Sequence, residues 1–227
     1  MPPKLKAMSV HLLTASGVVC ALFALRSAMG LQFEQSFLWL GLALFIDGID
    51  GVFARRYQVK TLLPHVSGEV LDLCVDYVTY VFVPALMLLL ADKLHGAWGF
   101  ALAALICVTS LYHFSDTGSK TDDNCFVGFP AVWNIVAFYI FALEPPAWTT
   151  SALILLCCAV TFVPWKWVHP MRVTALRGVT SVVTVLWAVA ATLILWSGFP
   201  APWAAATTII LVAVYGVGLS LHFGRAR

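Results

Sequence analysis

Long apolar stretches dominate the chain and limit the folds that it can adopt. Eight of them are long enough to cross a bilayer as a helix, which takes about 20 residues. Of the 227 residues, 61% are hydrophobic and 11% are charged, whereas soluble domains are only about half apolar. We therefore predict an all-α polytopic membrane protein, a single domain over 1–227 with eight transmembrane helices. These helices are centred in 9–29, 35–56, 69–91, 96–115, 127–143, 149–165, 174–196 and 201–222.

The positive charges predict how these helices are oriented. Most lysines and arginines lie at the chain ends or in the loops that follow even-numbered helices, and Arg26 and Lys93 are the two exceptions. Because lysine and arginine are enriched in cytoplasmic loops, we predict that both termini and the loops after the second, fourth and sixth helices are cytoplasmic. The basic residues of that side are Lys4, Lys6, Arg55, Arg56, Lys60, Lys120, Lys166, Arg172, Arg177, Arg225 and Arg227.

Carboxylates cluster where two consecutive helices meet this cytoplasmic edge. Asp47 and Asp50 lie near the end of the second predicted helix, and Asp72 and Asp76 lie at the start of the third. Spacings of three and four residues place each pair on one face of its helix. Since helices joined by a short loop run antiparallel, we expect the four carboxylates to converge at one depth.

Four carboxylates at a membrane edge need positive charge nearby, because like charges disfavour one another's ionisation. Oxygen ligands favour hard divalent cations such as magnesium, manganese or calcium. Four carboxylates can hold two such ions, which can also bind the phosphate oxygens of a substrate. For any single aspartate the alternative is a pairing with Arg55 or Arg56, or contact with water.

Small residues accompany these acids. Gly51 and Ala54 continue the face of the first pair, and Gly68 precedes the second pair by one turn. Small side chains let a bulky ligand approach the helix backbone.

The whole pattern, D-x2-D-G-x2-A-R over 47–55 and G-x3-D-x3-D over 68–76, resembles the signature of the CDP-alcohol phosphotransferases. These membrane enzymes displace CMP from a CDP-linked donor with an alcohol, and here the twelve-residue gap between the two halves is longer than in most members.

The resemblance implies a role for each matching residue. The aspartates would hold two divalent ions, with Mn²⁺ expected and Mg²⁺ as the alternative, and Asp76 would also act as the general base. Thr14 lies where family members often carry a polar nucleotide contact, although a hydroxyl bonded within its own helix is the plainer alternative. The implied metal ligands are Asp47, Asp50, Asp72 and Asp76, and the implied nucleotide contacts are Gly51, Ala54, Arg55, Gly68 and Thr14.

The flanking sequence extends the resemblance to one branch of the family. Members that condense CDP-diacylglycerol with choline are similar to this chain over 63–84, 112–134 and 168–173. A quaternary ammonium is recognised by aromatic faces and a nearby carboxylate, so the choline candidates are Tyr80, Tyr77, Tyr112, Trp133 and Asp116. The candidates for the lipid phosphate are Lys120, Arg172 and Arg177. The plainer alternatives are packing for the aromatic residues and membrane orientation for the cations.

Two other functions are compatible with the sequence. Transfer to serine, inositol or glycerol phosphate would use the same signature with a different acceptor. A transporter of a cationic solute would also place acids and aromatic residues in the membrane, although such sites usually lie at the midplane between repeated halves.

We expect a bacterial inner-membrane enzyme of phospholipid biosynthesis with its site facing the cytoplasm. Its expected partners are CDP-diacylglycerol, choline and membrane lipids but no nucleic acid, and a homodimer is compatible with the sequence.

Overall fold

The computed structural model describes residues 2–94, 96–118, 126–167 and 176–223, and helices make up most of this part of the chain. A π-helical segment, Tyr77–Phe82, joins α4 and α5 into one continuous rod. Two strands of two residues each, β1 and β2, pair antiparallel. The elements are α1 Pro3–Met29, α2 Phe33–Arg56, α3 Val59–Leu62, α4 Gly68–Asp76, α5 Val83–Leu90, α6 Gly99–Ser115, β1 Phe126–Val127, α7 Trp133–Leu143, α8 Ala147–Val160, β2 Lys166–Trp167, α9 Arg177–Ser197 and α10 Trp203–Phe223.

Five helical rods in the described part of the chain are long and apolar enough to cross a membrane. They are Pro3–Met29, Phe33–Arg56, Gly68–Leu90, Gly178–Ser197 and Trp203–His222. Three further apolar helices, α6, α7 and α8, are shorter, with 17, 11 and 14 residues. The prediction of an all-α membrane protein is therefore confirmed, while the number of eight spans and the side of the termini stay predictions.

Helix α7 begins later than the apolar stretch 127–143 indicates. The sequence predicts a helix over 127–143, whereas α7 starts at Trp133 because β1 and a loop occupy the residues before it. Gly128 has a positive φ of 79°, and a Cβ there would lie 2.1 Å from the carbonyl oxygen of Thr161. This close approach pairs the chain before α7 with the chain after α8, where Pro164 follows the end of that helix.

A seam of small residues runs along α1 and lets neighbouring helices approach closely. At Gly17 an added Cβ would lie 2.6 Å from Cγ1 of Val75 on α4. Small residues at helix interfaces bring backbones together in membrane proteins, where packing supplies much of the association energy. The buried seam consists of Ala7, Val10, Thr14, Gly17, Ala21, Ala24 and Ala28, alternately three and four residues apart.

We expect Gly17→Ala to destabilise the protein, because Val75 is β-branched and has little rotamer freedom to move aside. Overpacking of this kind costs about 1–3 kcal/mol, and the displaced α4 carries Asp72, so the arrangement of the clustered carboxylates should be disturbed as well. Thermal unfolding in detergent measures the first effect. Gly41→Ala on α2 is the control, since a Cβ there meets nothing within 4 Å. An unchanged melting temperature for Gly17→Ala would contradict the close packing.

The twelve residues between Arg55 and Gly68 fold back onto α1. Within them, α3 places Val59 against Ala7 and Val10, and Val59 is only 4% exposed. Ser67 then begins α4, since its side-chain oxygen accepts a hydrogen bond from the Val70 amide at 3.2 Å. The longer gap is therefore a packed connection that holds the start of α4 beside α1.

The opposite end of the bundle is held by charged and aromatic contacts. Lys93 Nζ lies 2.8 Å from Glu144 Oε1, and the same ammonium lies 5.6 Å from the ring centre of Phe141. Glu34 Oε1 accepts a hydrogen bond from the Phe199 amide at 3.1 Å. Lys93, an exception to the predicted charge distribution, is thus compensated by a neighbouring carboxylate.

Candidate metal centre

Three of the four signature carboxylates meet between α2 and α4. One oxygen from each of Asp47, Asp50 and Asp72 can be chosen so that all three lie within 4.8 Å of one another. Asp50 is buried, and the other two carboxylates are half-buried. The antiparallel arrangement expected from the sequence brings these acids together because the end of α2 and the start of α4 both pack against α1.

Asp76 lines the same small cavity as these three residues but is not part of the group of oxygens within 4.8 Å. The cavity has a volume of about 10 Å³, roughly the room that one water molecule needs. Asp76 is the last residue of α4, one turn beyond Asp72. The cavity is lined by Thr14, Gly17, Ala43, Ile46, Asp47, Asp50, Asp72, Val75, Asp76 and Thr79.

Two hydroxyl groups donate hydrogen bonds to the carboxylates of α2. Thr14 Oγ1 on α1 donates to Asp50 Oδ2 at 2.5 Å. The phenol of Tyr80 donates to Asp47 Oδ2 at 2.6 Å. Both donors are 8% exposed and Asp50 is 6% exposed, so these bonds lie inside the helix bundle.

Tyr80 belongs to the π-helical segment, and Pro84 explains why the helix widens there. Proline has no amide hydrogen, so Pro84 cannot donate the α-helical bond to the carbonyl of Tyr80. The Val83 amide donates to the Val78 carbonyl, five residues back, whereas an α-helical bond joins residues four apart. Such wide turns often occur at functional sites, and this one carries the residue that contacts Asp47.

The donor set fits a divalent cation. It consists of oxygen atoms, which hard cations prefer, and two ligands on opposite sides of a magnesium ion lie about 4.2 Å apart at the usual bond length. Asp47 and Asp50 form no ion pair with any residue in the described ranges, including Arg55 and Arg56. The pairing with arginine that the sequence left open is thus not found for these two acids.

The implied nucleotide contacts surround the ends of these helices. Gly51 and Ala54 are half-buried and Arg55 is exposed, and a Cβ on Gly51 would lie 3.5 Å from Nη1 of Arg55. A Cβ on Gly68 would instead lie 3.2 Å from Cε1 of His11 on α1. The space beside Gly68 is therefore shared with His11, which the sequence did not indicate.

Four of the five choline candidates have contacts away from the aspartates, and Tyr80 is the exception. The phenol of Tyr77 donates to the Cys107 carbonyl at 3.1 Å, and the indole of Trp133 donates to Ser110 Oγ at 2.8 Å. Tyr112 is 67% exposed beside Phe162. Asp116 accepts a bond from the Gly118 amide at 2.8 Å. These contacts match the packing alternative for Tyr77 and Trp133.

The lipid-phosphate candidates lie largely outside the described residues. Lys120 and Arg172 belong to the segments 119–125 and 168–175, which are not described. Arg177 is the first residue of α9, and its side chain is not described. Their predicted role stays a prediction.

Sequence reasoning missed one residue and one contact that shape the site. Gly17 brings α4 close to α1, and the alternating small residues of α1 were the signal that could have identified it. The hydrogen bond from Tyr80 to Asp47 had no comparable signal, although Pro84 marks the irregular turn that presents Tyr80.

These features define a class of protein, a multi-spanning helical membrane protein with a carboxylate site where three helices meet. A model of the CDP-alcohol phosphatidyltransferase family matches residues 8–165, which include all four aspartates. The match covers well over half of the chain, and the chain belongs to this family.

Curated relatives narrow the comparison. The chain is 46% identical over 185 residues to a phosphatidylcholine synthase of Mesorhizobium japonicum, covering 82% of this chain and 69% of the relative. It is 42% identical over 192 residues to a phosphatidylcholine synthase of Pseudomonas aeruginosa, covering 85% and 81%. It is 40% identical over 222 residues to a phosphatidylcholine synthase of Rhizobium johnstonii, covering 97% and 92%. These proteins are similar to this chain over most of its length.

Proposed function

We propose that this protein is a phosphatidylcholine synthase, an enzyme that transfers the phosphatidyl group of CDP-diacylglycerol to choline and releases CMP. The convergence of Asp47, Asp50 and Asp72 carries the proposal, because these three carboxylates could hold a divalent cation that binds the donor pyrophosphate. The shared name of the relatives supports choline as the acceptor.

The four aspartates would hold the metal, as two ions, with Mn²⁺ expected and Mg²⁺ as the alternative because oxygen ligands do not separate the two. Bound divalent cations supply charge stabilisation for the donor pyrophosphate and the departing CMP. Asp47 and Asp50 arrive on α2 and Asp72 on α4, so the ligands come from two helices that α1 holds together.

Asp76 is proposed as the general base. Its carboxylate takes the proton from the hydroxyl of choline, and the oxygen forms a bond to the phosphorus that carries diacylglycerol while the bond from that phosphorus to the CMP oxygen breaks. Asp76 lies about 6 Å beyond Asp72 along the helix. It lines the same small cavity as Asp47, Asp50 and Asp72.

The remaining contacts are assigned by the chemistry of each substrate group. Gly51, Ala54, Arg55, Gly68 and Thr14 are proposed beside the nucleotide. The cations Lys120, Arg172 and Arg177 are proposed for the lipid phosphate, since lysine and arginine near a membrane surface attract phosphate groups. For the ammonium of choline, the proposed contacts are the aromatic residues Tyr80, Tyr77, Tyr112 and Trp133 with Asp116.

We further propose eight spans in one domain over 1–227, in a bacterial inner membrane with the site facing the cytoplasm. Lys4 lies beside the connection 61–66 that precedes α4, at the same end of the bundle as Arg55 and Lys60. This collection of cations supports a cytoplasmic position for the aspartates.

The shorter α7 would cover about 17 Å of a hydrocarbon core about 30 Å thick, so its flanking segments would complete that crossing. A homodimer is compatible with this arrangement.

An acceptor panel tests the proposal. Purified protein, labelled CDP-diacylglycerol and Mn²⁺ are mixed with choline, serine, inositol or glycerol phosphate, and CMP and the lipid product are measured. We expect CMP and phosphatidylcholine with choline only. A lipid product with another acceptor would keep the enzyme class and remove choline. Uptake of choline into proteoliposomes without CMP release would replace the enzyme by a transporter.

A further inference from the structure

Each of the two signature aspartates of α2 is bonded to a hydroxyl that comes from a different neighbouring rod. Thr14 of α1 reaches Asp50, and Tyr80 of the π-helical segment reaches Asp47. We propose that Thr14 and Tyr80 are positioning residues that fix the two carboxylates for metal binding. The inference rests on the proposed function for the use of a divalent cation at this site.

The hydroxyl of Thr14 has one hydrogen and two nearby acceptors. Its Oγ1 lies 2.5 Å from Asp50 Oδ2 and 3.3 Å from the Val10 carbonyl oxygen. A hydrogen bond to a carboxylate is shorter and stronger than one between neutral groups, so the hydrogen is directed at Asp50. Thr14 is part of the tightly packed seam of α1, and its position is therefore fixed before any ligand binds.

The phenol of Tyr80 acts on Asp47 in the same way. Its ring is buried, and its hydroxyl lies 2.6 Å from Asp47 Oδ2. A phenol has a single hydrogen to donate, and its bond to a carboxylate is stronger than a bond to a neutral acceptor. Pro84 and the bond from the Val83 amide to the Val78 carbonyl hold the π-helical segment. The backbone that carries Tyr80 is therefore rigid.

Both bonds end on one oxygen of their acceptor. A carboxylate has about four lone-pair positions on two oxygens, so each of Asp47 and Asp50 keeps the capacity to bind a cation. The bonds restrict rotation of carboxylates that would otherwise turn away from each other's charge. Because partners of ligating carboxylates are part of a metal site, losing one typically costs about 10–100-fold in metal affinity or activity.

This role differs from the choline contact proposed for Tyr80, and one variant separates the two. Tyr80→Phe keeps the ring and its cation–π surface but removes the bond to Asp47. A choline contact made by the ring would leave metal affinity unchanged in this variant. A positioning role would lower metal affinity and leave the choline KM largely unaffected at saturating metal.

The test is a titration of the detergent-solubilised protein with Mn²⁺ alone, with unbound Mn²⁺ measured by electron paramagnetic resonance. We expect Tyr80→Phe and Thr14→Val each to raise the Kd for Mn²⁺ by about 10–100-fold, and Thr14→Ser, which keeps the hydroxyl, to restore most of the affinity. The controls are Tyr139→Phe, which loses a 2.7 Å bond to the Ile209 carbonyl, and Thr109→Val, which loses a 2.8 Å bond to the Leu105 carbonyl. Both controls should bind Mn²⁺ as the wild type does.

The outcomes separate this inference from the proposed function. Wild-type protein that binds Mn²⁺, with unchanged affinity in folded Tyr80→Phe and Thr14→Val, would overturn the positioning role and leave the metal site intact. An equal loss in the Tyr139 and Thr109 controls would also overturn it, because the effect would then be a general loss of packing. Wild-type protein that binds no Mn²⁺ would overturn both this inference and the metal site of the proposed function.

Discussion

Asp76→Asn is expected to leave the protein folded and to abolish turnover. The amide has nearly the same shape as the carboxylate but cannot accept the proton of the choline hydroxyl. Removal of a general base typically costs about 10²–10⁴-fold, and the loss here should exceed that range if Asp76 also binds metal. The rate of CMP release with saturating CDP-diacylglycerol, choline and Mn²⁺ measures the effect.

The melting temperature should change little in Asp76→Asn and much of the binding of CDP-diacylglycerol should remain, which separates a chemical defect from an unfolded protein. Asp92→Asn provides a matched control, because Asp92 follows α5 at the end of the bundle away from the aspartates. Its turnover should equal that of the wild type. If Asp76→Asn keeps more than about a tenth of the wild-type rate, which is above the range for loss of a general base, another group accepts the proton.

Removal of divalent metal is expected to eliminate activity completely. Asp47, Asp50 and Asp72 bring three carboxylate oxygens within 4.8 Å of one another, and their mutual repulsion leaves the site unsuited to a pyrophosphate without a cation. Activity in excess EDTA should fall to background and should return when Mn²⁺ or Mg²⁺ exceeds the chelator. Asp47→Ala and Asp50→Ala should lose activity as well, and high metal concentrations should restore only part of it.

EDTA preloaded with Mg²⁺ controls for effects of the chelator on the detergent or the lipid donor. The melting temperature should be measured on the same samples, since divalent ions that bind the folded state also stabilise it. Wild-type activity that persists in excess EDTA would refute the metal role of all four aspartates. Inactive alanine variants alone would not establish that role, because each also changes a helix interface.

The sequence located most helices well but misjudged the start of α7, which depends on a contact between distant segments. The predicted helix over 35–56 closely matches α2, Phe33–Arg56, because an uninterrupted apolar run is a local property. The prediction over 127–143 failed at its start, since the pairing of Phe126 with Trp167 joins residues far apart in sequence. No pattern within 127–132 indicates that partner.

Tyr80 shows the corresponding limit at the site. Spacing placed it one turn beyond Asp76 and suggested that its ring faces choline. The structure shows that its hydroxyl donates to Asp47, which is 33 residues earlier in the chain, and the choline contact of its ring stays a prediction. Spacing identifies the residues that share a helix face, but it does not identify the residue opposite them on another helix.

The sequence by itself determined that the chain is a helical membrane protein and which four aspartates form its signature, because apolar length and helical spacing are properties of single segments. The tertiary structure alone decided which side chains of other helices meet these aspartates. The approach of Gly17 to Val75 brings α4 against α1, and the bonds of Thr14 and Tyr80 to the aspartates of α2 join residues 36 and 33 positions apart. Such contacts depend on how three rods pack together, and packing is a property of the assembled helices rather than of any one of them.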